Sequence, residues 1–284
     1  MSKKAVIVQP GKLGDSLITA PIAKHYADLG YEIYWPILDN FTSIIERFDY
    51  VKPISFNVRL DDVNYYSNKR TSFWTQKTTC GTRSAEFFNN FYKTFDEKEY
   101  KFIDPCFAFP GQQQGPEKIQ KIKDWVASER SWIALKYDLA DSPLKKRWAL
   151  EYNRSIDKEE KLFEFIKSYA QKKYGSEEYS IVHRYNSNIL PPYEVKNPIN
   201  FSFIKGYEIV DWLKALENAT EIVCVDSCLC HFVEVAPSLW DTKKVYLGTE
   251  EPHYTPFMNN ILFNNWINLS NSDVSYGASS PADL

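Results

Sequence analysis

Long hydrophobic runs are missing from this sequence of 284 residues. No apolar stretch approaches the roughly 18 residues that a membrane-spanning helix needs, so we expect no integral membrane contact, and peripheral contact at most. A secretory signal is also missing, because Met1-Ser2-Lys3-Lys4 runs directly into the strand-like segment AVIVQP, without an apolar core or a cleavage site. These two absences predict a cytoplasmic protein.

Cysteine is scarce and unevenly placed. The chain has five cysteines, three of which lie in the segment VCVDSCLCHF, residues 223–232. Small secreted domains use an even set of spaced cysteines for disulfides, and structural zinc sites commonly use Cys-x2-Cys pairs, neither of which occurs here. The odd number and the clustering therefore favour a reducing compartment.

Charge is divided unevenly between the two halves of the chain. The net charge is −3, but residues 1–150 carry +4 and residues 151–284 carry −7. Hydrophobic residues at 44% and charged residues at 25% are ordinary for a soluble globular protein, whereas aromatic residues at 16% are numerous. The basic first half suits an anionic partner, and it equally suits a solvated surface with no partner.

Short β-rich segments alternate with helical segments in both halves of the chain. The predicted strands are 4–10, 31–38 and 51–56, then 179–185, 199–204, 221–226 and 243–248. The predicted helices are 14–30, 40–48, 84–95 and 116–129, then 157–175, 207–219 and 227–236. On the helix at 157–175, the apolar stripe comprises Leu162, Phe163, Phe165, Ile166 and Tyr169.

Strands that alternate with helices predict parallel sheets with right-handed crossovers. We therefore expect an α/β protein with two Rossmann-like domains facing a central cleft. The first domain would span residues 1–155 and the second residues 156–284, with a short polar tail at 272–284.

A glycine-containing turn follows the first predicted strand, in the segment PGKLGDSLITAP. The backbone at Lys12, Leu13 and Gly14 could approach an anionic ligand, although the segment matches neither a P-loop nor Gly-x-Gly-x-x-Gly. Asp15 lies where the next helix begins. It is either an N-cap, worth about 1 kcal/mol, or a general base at the ligand-binding edge of the sheet.

The cysteine-rich segment predicts an anion site better than a metal site. Cys224 falls in a predicted strand, whereas Cys228 and Cys230 fall on the following helix, about 200° apart around its axis. Asp226 and Ser227 occupy the turn between strand and helix. The first amides of that helix, at Ser227, Cys228 and Leu229, could hold a phosphate, with His231 as a further donor.

Two segments resemble glycosyltransferase family 9, the bacterial lipopolysaccharide heptosyltransferases. KLGDSLITAPIAKHYADLGYEI resembles the opening segment of the family, and YEIVDWLKALENATEIVCVDSCLCHFVEVA resembles its donor-site segment. The resemblance covers roughly 50 residues and implies the GT-B fold. It implies that Asp15 is the catalytic base and that Asp226, Ser227, Leu229 and His231 hold the donor diphosphate, with Cys228 in place of the glycine of the family.

Other residues are weaker candidates for the donor. His183 and Arg184 follow a strand of the second half and could supply positive charge to a diphosphate, or they could be a core histidine and a surface arginine. Tyr207 and Glu208 open the helix before the diphosphate motif and could contact a nucleoside.

The basic and aromatic segment at 67–88 is the candidate acceptor site. Lys69, Arg70, Trp74 and Arg83 in this segment suit a sugar phosphate or a nucleic acid, and they equally suit an ordinary surface loop. This segment lies in the first predicted domain.

Together these features predict an inverting, metal-independent glycosyltransferase. The co-substrate would be a nucleotide-diphospho-sugar, with no cofactor and no metal ion. The acceptor would be a glycan, such as a lipopolysaccharide core sugar, or a hydroxymethylated base in DNA. The alternative is a catalytically silent nucleotide-sugar-binding protein of the same fold. In either case we expect a monomer.

Overall fold

A computed structural model describes residues 3–9, 13–56, 93–105, 117, 120–121, 123–124, 132–148, 150–184, 193–248 and 265–269. The chain divides into two compact units, Met1–Lys146 and Arg147–Leu284. Each unit is built around its own parallel sheet.

The first unit contains a four-stranded parallel sheet. Its strands are β1 (Lys3–Ile7), β2 (Tyr31–Leu38), β3 (Val51–Phe56) and β4 (Tyr100–Ile103), in the order β3-β2-β1-β4. Its helices are α1 (Leu13–Asp28), α2 (Thr42–Ile45) and α3 (Trp132–Leu139). A 3-10 turn at Asp39–Phe41 precedes α2, so the predicted helix at 40–48 is shorter and partly 3-10.

Apolar residues of β1 and β2 form the core on one face of this sheet. Val6, Val8, Leu38 and Phe95 make one buried cluster, on which Tyr34 packs. Helix α1 is buried along most of its length, from Ser16 to Ala23. The first strand, helix and second strand therefore follow the pattern that the sequence predicts.

The second unit contains a five-stranded parallel sheet. Its strands are β5 (Ser180–His183), β6 (Pro198–Asn200), β7 (Ile222–Cys224), β8 (Lys244–Leu247) and β9 (Trp266–Leu269), in the order β6-β5-β7-β8-β9. Its helices are α4 (Ile156–Tyr174), α5 (Leu213–Glu217) and α6 (Cys228–Val235). Further 3-10 turns lie at Leu144–Trp148, Ile209–Trp212 and Pro237–Leu239.

Helix α4 ends at Gly175, as predicted, but its buried face differs from the predicted stripe. Gly175 adopts the left-handed conformation, with φ 70°, that terminates helices. Leu162 and Ile166 are buried, whereas Phe165 and Tyr169 are 61% and 43% exposed. The buried face instead includes Glu159 and Ala170. Glu159 can be buried because Arg154 pairs with its carboxylate.

Candidate functional site

The order of strands reverses once in each sheet, and these points are where ligands bind in open α/β folds. In the first sheet the chain proceeds from β1 to β2 and β3, and then returns to place β4 on the other side of β1. In the second sheet β6 lies on one side of β5, and β7 lies on the other. The carboxyl ends of β1 and β5 therefore lead to the candidate sites.

In the second unit, Ser227 caps the N-terminus of α6. Its backbone is extended, with φ −162° and ψ 168°, and its Oγ accepts a hydrogen bond from the amide of Cys230 at 3.4 Å. The first backbone bond of the helix runs from the amide of His231 to the carbonyl of Ser227. The amides of Cys228 and Leu229 precede this bond, so they occupy the end of the helix where an anion is favoured.

His183 holds the Ser227 hydroxyl from the neighbouring strand. Its Nδ1 lies 2.9 Å from Oγ of Ser227, because β5 and β7 are paired with His183 opposite Cys224. Burial lowers the pKa of His183 below its ordinary value, which favours a neutral imidazole at pH 7. The structure thus gives His183 a hydrogen bond to Ser227, whereas its role toward a diphosphate stays a prediction.

Asp226 and His231 contact each other across the first turn of α6. Nε2 of His231 lies 3.1 Å from Oδ1 of Asp226, and the two side chains are 7% and 18% exposed. His231 is therefore a buried residue directed at Asp226. The structure brings Asp226, Ser227, His231 and His183 together at one end of β5 and β7.

Cys228 stands at the helix N-terminus, and its thiol is protonated at neutral pH. Burial raises the pKa of Cys228 to about 11, and hydrogen bonds from the amides of Cys228 and Leu229 partly oppose that rise. Burial also raises the pKa values of Cys224 and Cys230, which are fully buried in the core. None of these three thiols is therefore poised as a nucleophile.

In the part of the chain that the structure describes, no group of three or more His, Cys, Asp or Glu side chains could hold a metal ion. The helices of the same described residues also include none with the length and apolar character needed to cross a bilayer.

The remaining donor candidates have structural contacts of their own. Arg184 is exposed and donates from Nη2 to the carbonyl of Tyr193 at 2.7 Å. Glu208 and Asp211 form a capping box for the 3-10 turn Ile209–Trp212, so the Glu208 side chain is engaged in capping. Tyr207 is partly buried, and its amide donates to the carbonyl of Ile204 at 3.0 Å.

In the first unit, Asp15 lies in the first turn of α1 and pairs with a lysine. Helix α1 begins at Leu13, so Asp15 is its third residue and not its N-cap, and Leu13 and Gly14 are helical. Oδ1 of Asp15 lies 2.9 Å from Nζ of Lys136, which also donates to Oε1 of Gln9 at 2.9 Å. The Lys136 side chain is 3% exposed and that of Asp15 is 24% exposed.

Sequence reasoning missed three residues near these sites. Gln9 and Lys136 meet Asp15, and the one available signal was a lysine inside the apolar segment WIALKYDL. Phe203 lies just beyond β6, is 68% exposed, and packs on Phe201, which in turn packs on His183 at 5.2 Å between ring centroids. An exposed aromatic ring at this edge of a sheet has the apolar face on which a flat ligand could stack.

Five predicted site residues lie outside the described residues. They are Lys12 and the acceptor candidates Lys69, Arg70, Trp74 and Arg83.

Comparison with known proteins gives similarity at the level of fold. The sequence matches no family model and no curated protein sequence. Among solved structures, the chain is similar to a glycosyl transferase family 9 protein from Veillonella parvula DSM 2008, with a TM-score of 0.50 and 11% identity over 99% of this chain and 93% of that chain.

Two heptosyltransferases from E. coli align less well. The structure of WaaC with ADP gives a TM-score of 0.44 and 12% identity, covering 93% of this chain and 92% of that chain. ADP-heptose lps heptosyltransferase II gives 0.41 and 10%, covering 99% and 96%. The similarity to the Veillonella protein confirms the fold-level resemblance expected from the sequence: this chain is an α/β protein with parallel sheets and a glycosyltransferase-like fold.

Proposed function

We propose that this protein is a glycosyltransferase that uses a nucleotide-diphospho-sugar. The observation that carries the proposal is the capped N-terminus of α6 at the switch point of the second sheet. There, the Ser227 hydroxyl and the first amides of the helix would donate hydrogen bonds to a diphosphate, because an anion is stabilised at a helix N-terminus. The glycosyltransferase-like fold supports the same conclusion.

The nucleoside would lie at the same edge of the second sheet. Phe203 offers an exposed ring just beyond β6, and its contacts run through Phe201 to His183 and then to Ser227. A base that stacks on Phe203 would leave its diphosphate directed toward α6. Arg184, which is exposed at the end of β5, would add positive charge to the leaving group.

The reaction would be a single displacement without a metal ion. Asp15 would take the proton from the acceptor hydroxyl while that oxygen attacks the anomeric carbon and forms the new glycosidic bond. The bond from the anomeric carbon to the diphosphate would break, and its electron pair would leave with the diphosphate oxygen. The amides of α6 and the Ser227 hydroxyl would stabilise that charge, and the configuration at the anomeric carbon would invert.

The acceptor is proposed as a glycan or as a hydroxymethylated base in DNA. The charge of +4 over residues 1–150 favours an anionic acceptor. The salt dependence of acceptor binding distinguishes DNA from a glycan. Contacts with DNA phosphates release counterions, so the affinity for DNA falls steeply as the salt concentration rises. A binding constant for acceptor DNA that is insensitive to salt would exclude the DNA acceptor.

One observation favours the catalytically silent alternative. Asp15 is paired with Lys136, and a carboxylate in an ion pair is a weaker base than a free one. In a silent binding protein the pair would only stabilise the first unit. A transferase would need Asp15 for turnover, whereas a silent binding protein would bind the nucleotide sugar and transfer nothing.

The test begins with thermal melting of the full chain in ADP, UDP, GDP and their sugars. A bound donor raises the melting temperature, and inorganic pyrophosphate serves as the probe of the α6 site alone. Asp15→Asn should then abolish transfer from the donor so identified while the ligand-induced rise in melting temperature survives. Unchanged turnover would remove Asp15 as the base, and no rise with any diphosphate would remove the donor site.

A further inference from the structure

A buried lysine fixes the position of the candidate base. Lys136 on α3 contacts Asp15 on α1 and Gln9 just beyond β1, each at 2.9 Å from its Nζ. The backbone of Gln9 is itself held, because Nε1 of Trp35 donates to its carbonyl at 2.8 Å. The ammonium group of Lys136 therefore holds the Asp15 carboxylate near the end of β1, where the strand order of the first sheet reverses.

Hydrogen bonds that do not involve Lys136 also hold α3 against α1. Oη of Tyr137 donates to the carbonyl of Ile18 at 3.2 Å, and Oη of Tyr26 donates to the carbonyl of Ala140 at 2.8 Å. Both bonds are buried, and they join α1 to α3 and to the turn just after it. Burial of an ammonium group costs free energy that an apolar side chain at position 136 would not. The charge of Lys136 therefore needs a reason other than packing.

Proton transfer by Asp15 would explain why position 136 carries a charge. A general base must be ionised, and must hold a fixed orientation, when the acceptor hydroxyl attacks. A cation in contact with a carboxylate favours the ionised form. We propose that Lys136 is a positioning residue, which holds the Asp15 carboxylate ionised and oriented for proton transfer; this inference rests on the proposed function, because it takes Asp15 as the base.

The first test separates positioning from stability. Lys136→Met should lower kcat by about 10- to 100-fold and leave KM for the donor unchanged, because the base is displaced while the donor site is intact. If Lys136→Met does not fold, Lys136→Gln removes the charge and keeps hydrogen-bonding groups.

A control comes from Lys121, which lies outside α3 and contacts the end of that helix. Lys121 pairs with Asp141 at 2.7 Å and donates to the carbonyl of Asp138, which lies on α3, at 3.1 Å. Lys121→Met therefore also removes a lysine that pairs with a carboxylate beside α3, and it should leave kcat unchanged. A full kcat in folded Lys136→Met, or equal losses in both variants, would overturn the proposal.

A second measurement does not depend on turnover. The Asp15 carboxyl signal can be followed by 13C NMR against pH, and it is assigned by its loss in Asp15→Asn. Lys136→Met should raise the titration midpoint of this carboxyl, because a contacting cation is removed. An unmoved midpoint would overturn the proposal. If wild-type protein turns over no nucleotide sugar, the proposed function fails, and the midpoint alone still decides whether Lys136 holds Asp15 ionised.

Discussion

Breaking the buried ion pair between Glu234 of α6 and Arg147 should destabilise the second unit more than any surface substitution. Glu234 lies in the last turn of α6 and is fully buried. Its Oε1 accepts from Nη2 of Arg147 at 2.7 Å and from Nε1 of Trp148 at 3.4 Å, and its Oε2 accepts from Nε1 of Trp266 at 2.7 Å. One carboxylate thus joins α6, β9 and the segment that opens the second unit.

The change Glu234→Gln keeps the shape of the side chain and removes its charge. The Arg147 side chain, 1% exposed, would remain buried without its carboxylate, and the new NH2 group would face an N–H donor. Removing one partner of a buried pair costs about 3–5 kcal/mol, which should lower the Tm of this unit by roughly 10–17 °C. The free energy of unfolding is measured by urea denaturation, followed by circular dichroism and by tryptophan fluorescence.

Two comparisons make this prediction specific. The exposed pair of Lys196 and Glu178 has a similar separation of 3.0 Å, so Glu178→Gln should cost at most about 1 kcal/mol. The double variant Glu234→Leu with Arg147→Met should be more stable than either single variant, because no charge is left unpaired. A cost below about 1 kcal/mol for Glu234→Gln would refute the reasoning.

Three further predictions concern the donor site. Ser227→Ala should cost about 1 kcal/mol of unfolding free energy through loss of the cap, and should weaken pyrophosphate binding in calorimetry; unchanged binding would exclude the hydroxyl as a ligand. Phe203→Ala should cost about 1–3 kcal/mol of nucleoside diphosphate affinity and leave pyrophosphate unaffected, whereas the equally exposed Phe165→Ala should change neither. Alkylation of Cys228 by iodoacetamide, followed by peptide mapping, should be slow at pH 8 and rise toward pH 11, because its thiolate forms only near its pKa of about 11.

The strongly periodic elements could be predicted from the sequence alone. Strands β1 and β2 and helices α1, α4 and α6 lie within a few residues of their predicted bounds. Glycine or proline marks several of their ends, and local pattern is sufficient where an element is long or is flanked by such residues. The turn of Asp226 and Ser227 was found for the same reason, because it lies between an apolar strand and an apolar helix.

Short strands and long-range pairs could not be predicted in this way. Strands β4 and β9 have four residues each, and they are defined by hydrogen bonds to β1 and β8, which no local pattern contains. Asp15 and Lys136 are separated by most of the first unit in sequence, so their contact follows only from the packing of α3 near α1. The alternative of an N-cap for Asp15 was likewise decided by where α1 begins.

Of the three cysteines in β7 and α6, Cys228 alone bears on the proposed donor site. Cys224 and Cys230 fill the core, whereas Cys228 places its sulfur within hydrogen-bonding range of the amides of Cys228 and Leu229. Sulfur is a weak acceptor, and a diphosphate oxygen is a strong, charged one. A diphosphate that accepts hydrogen bonds from these amides must therefore displace the sulfur. The binding free energy gained there is the difference between the hydrogen bonds to phosphate oxygen and those to sulfur. A glycine at position 228 would offer the same amides without that exchange. Under the proposed function, this chain would therefore depend more heavily on the Ser227 hydroxyl, which contacts His183.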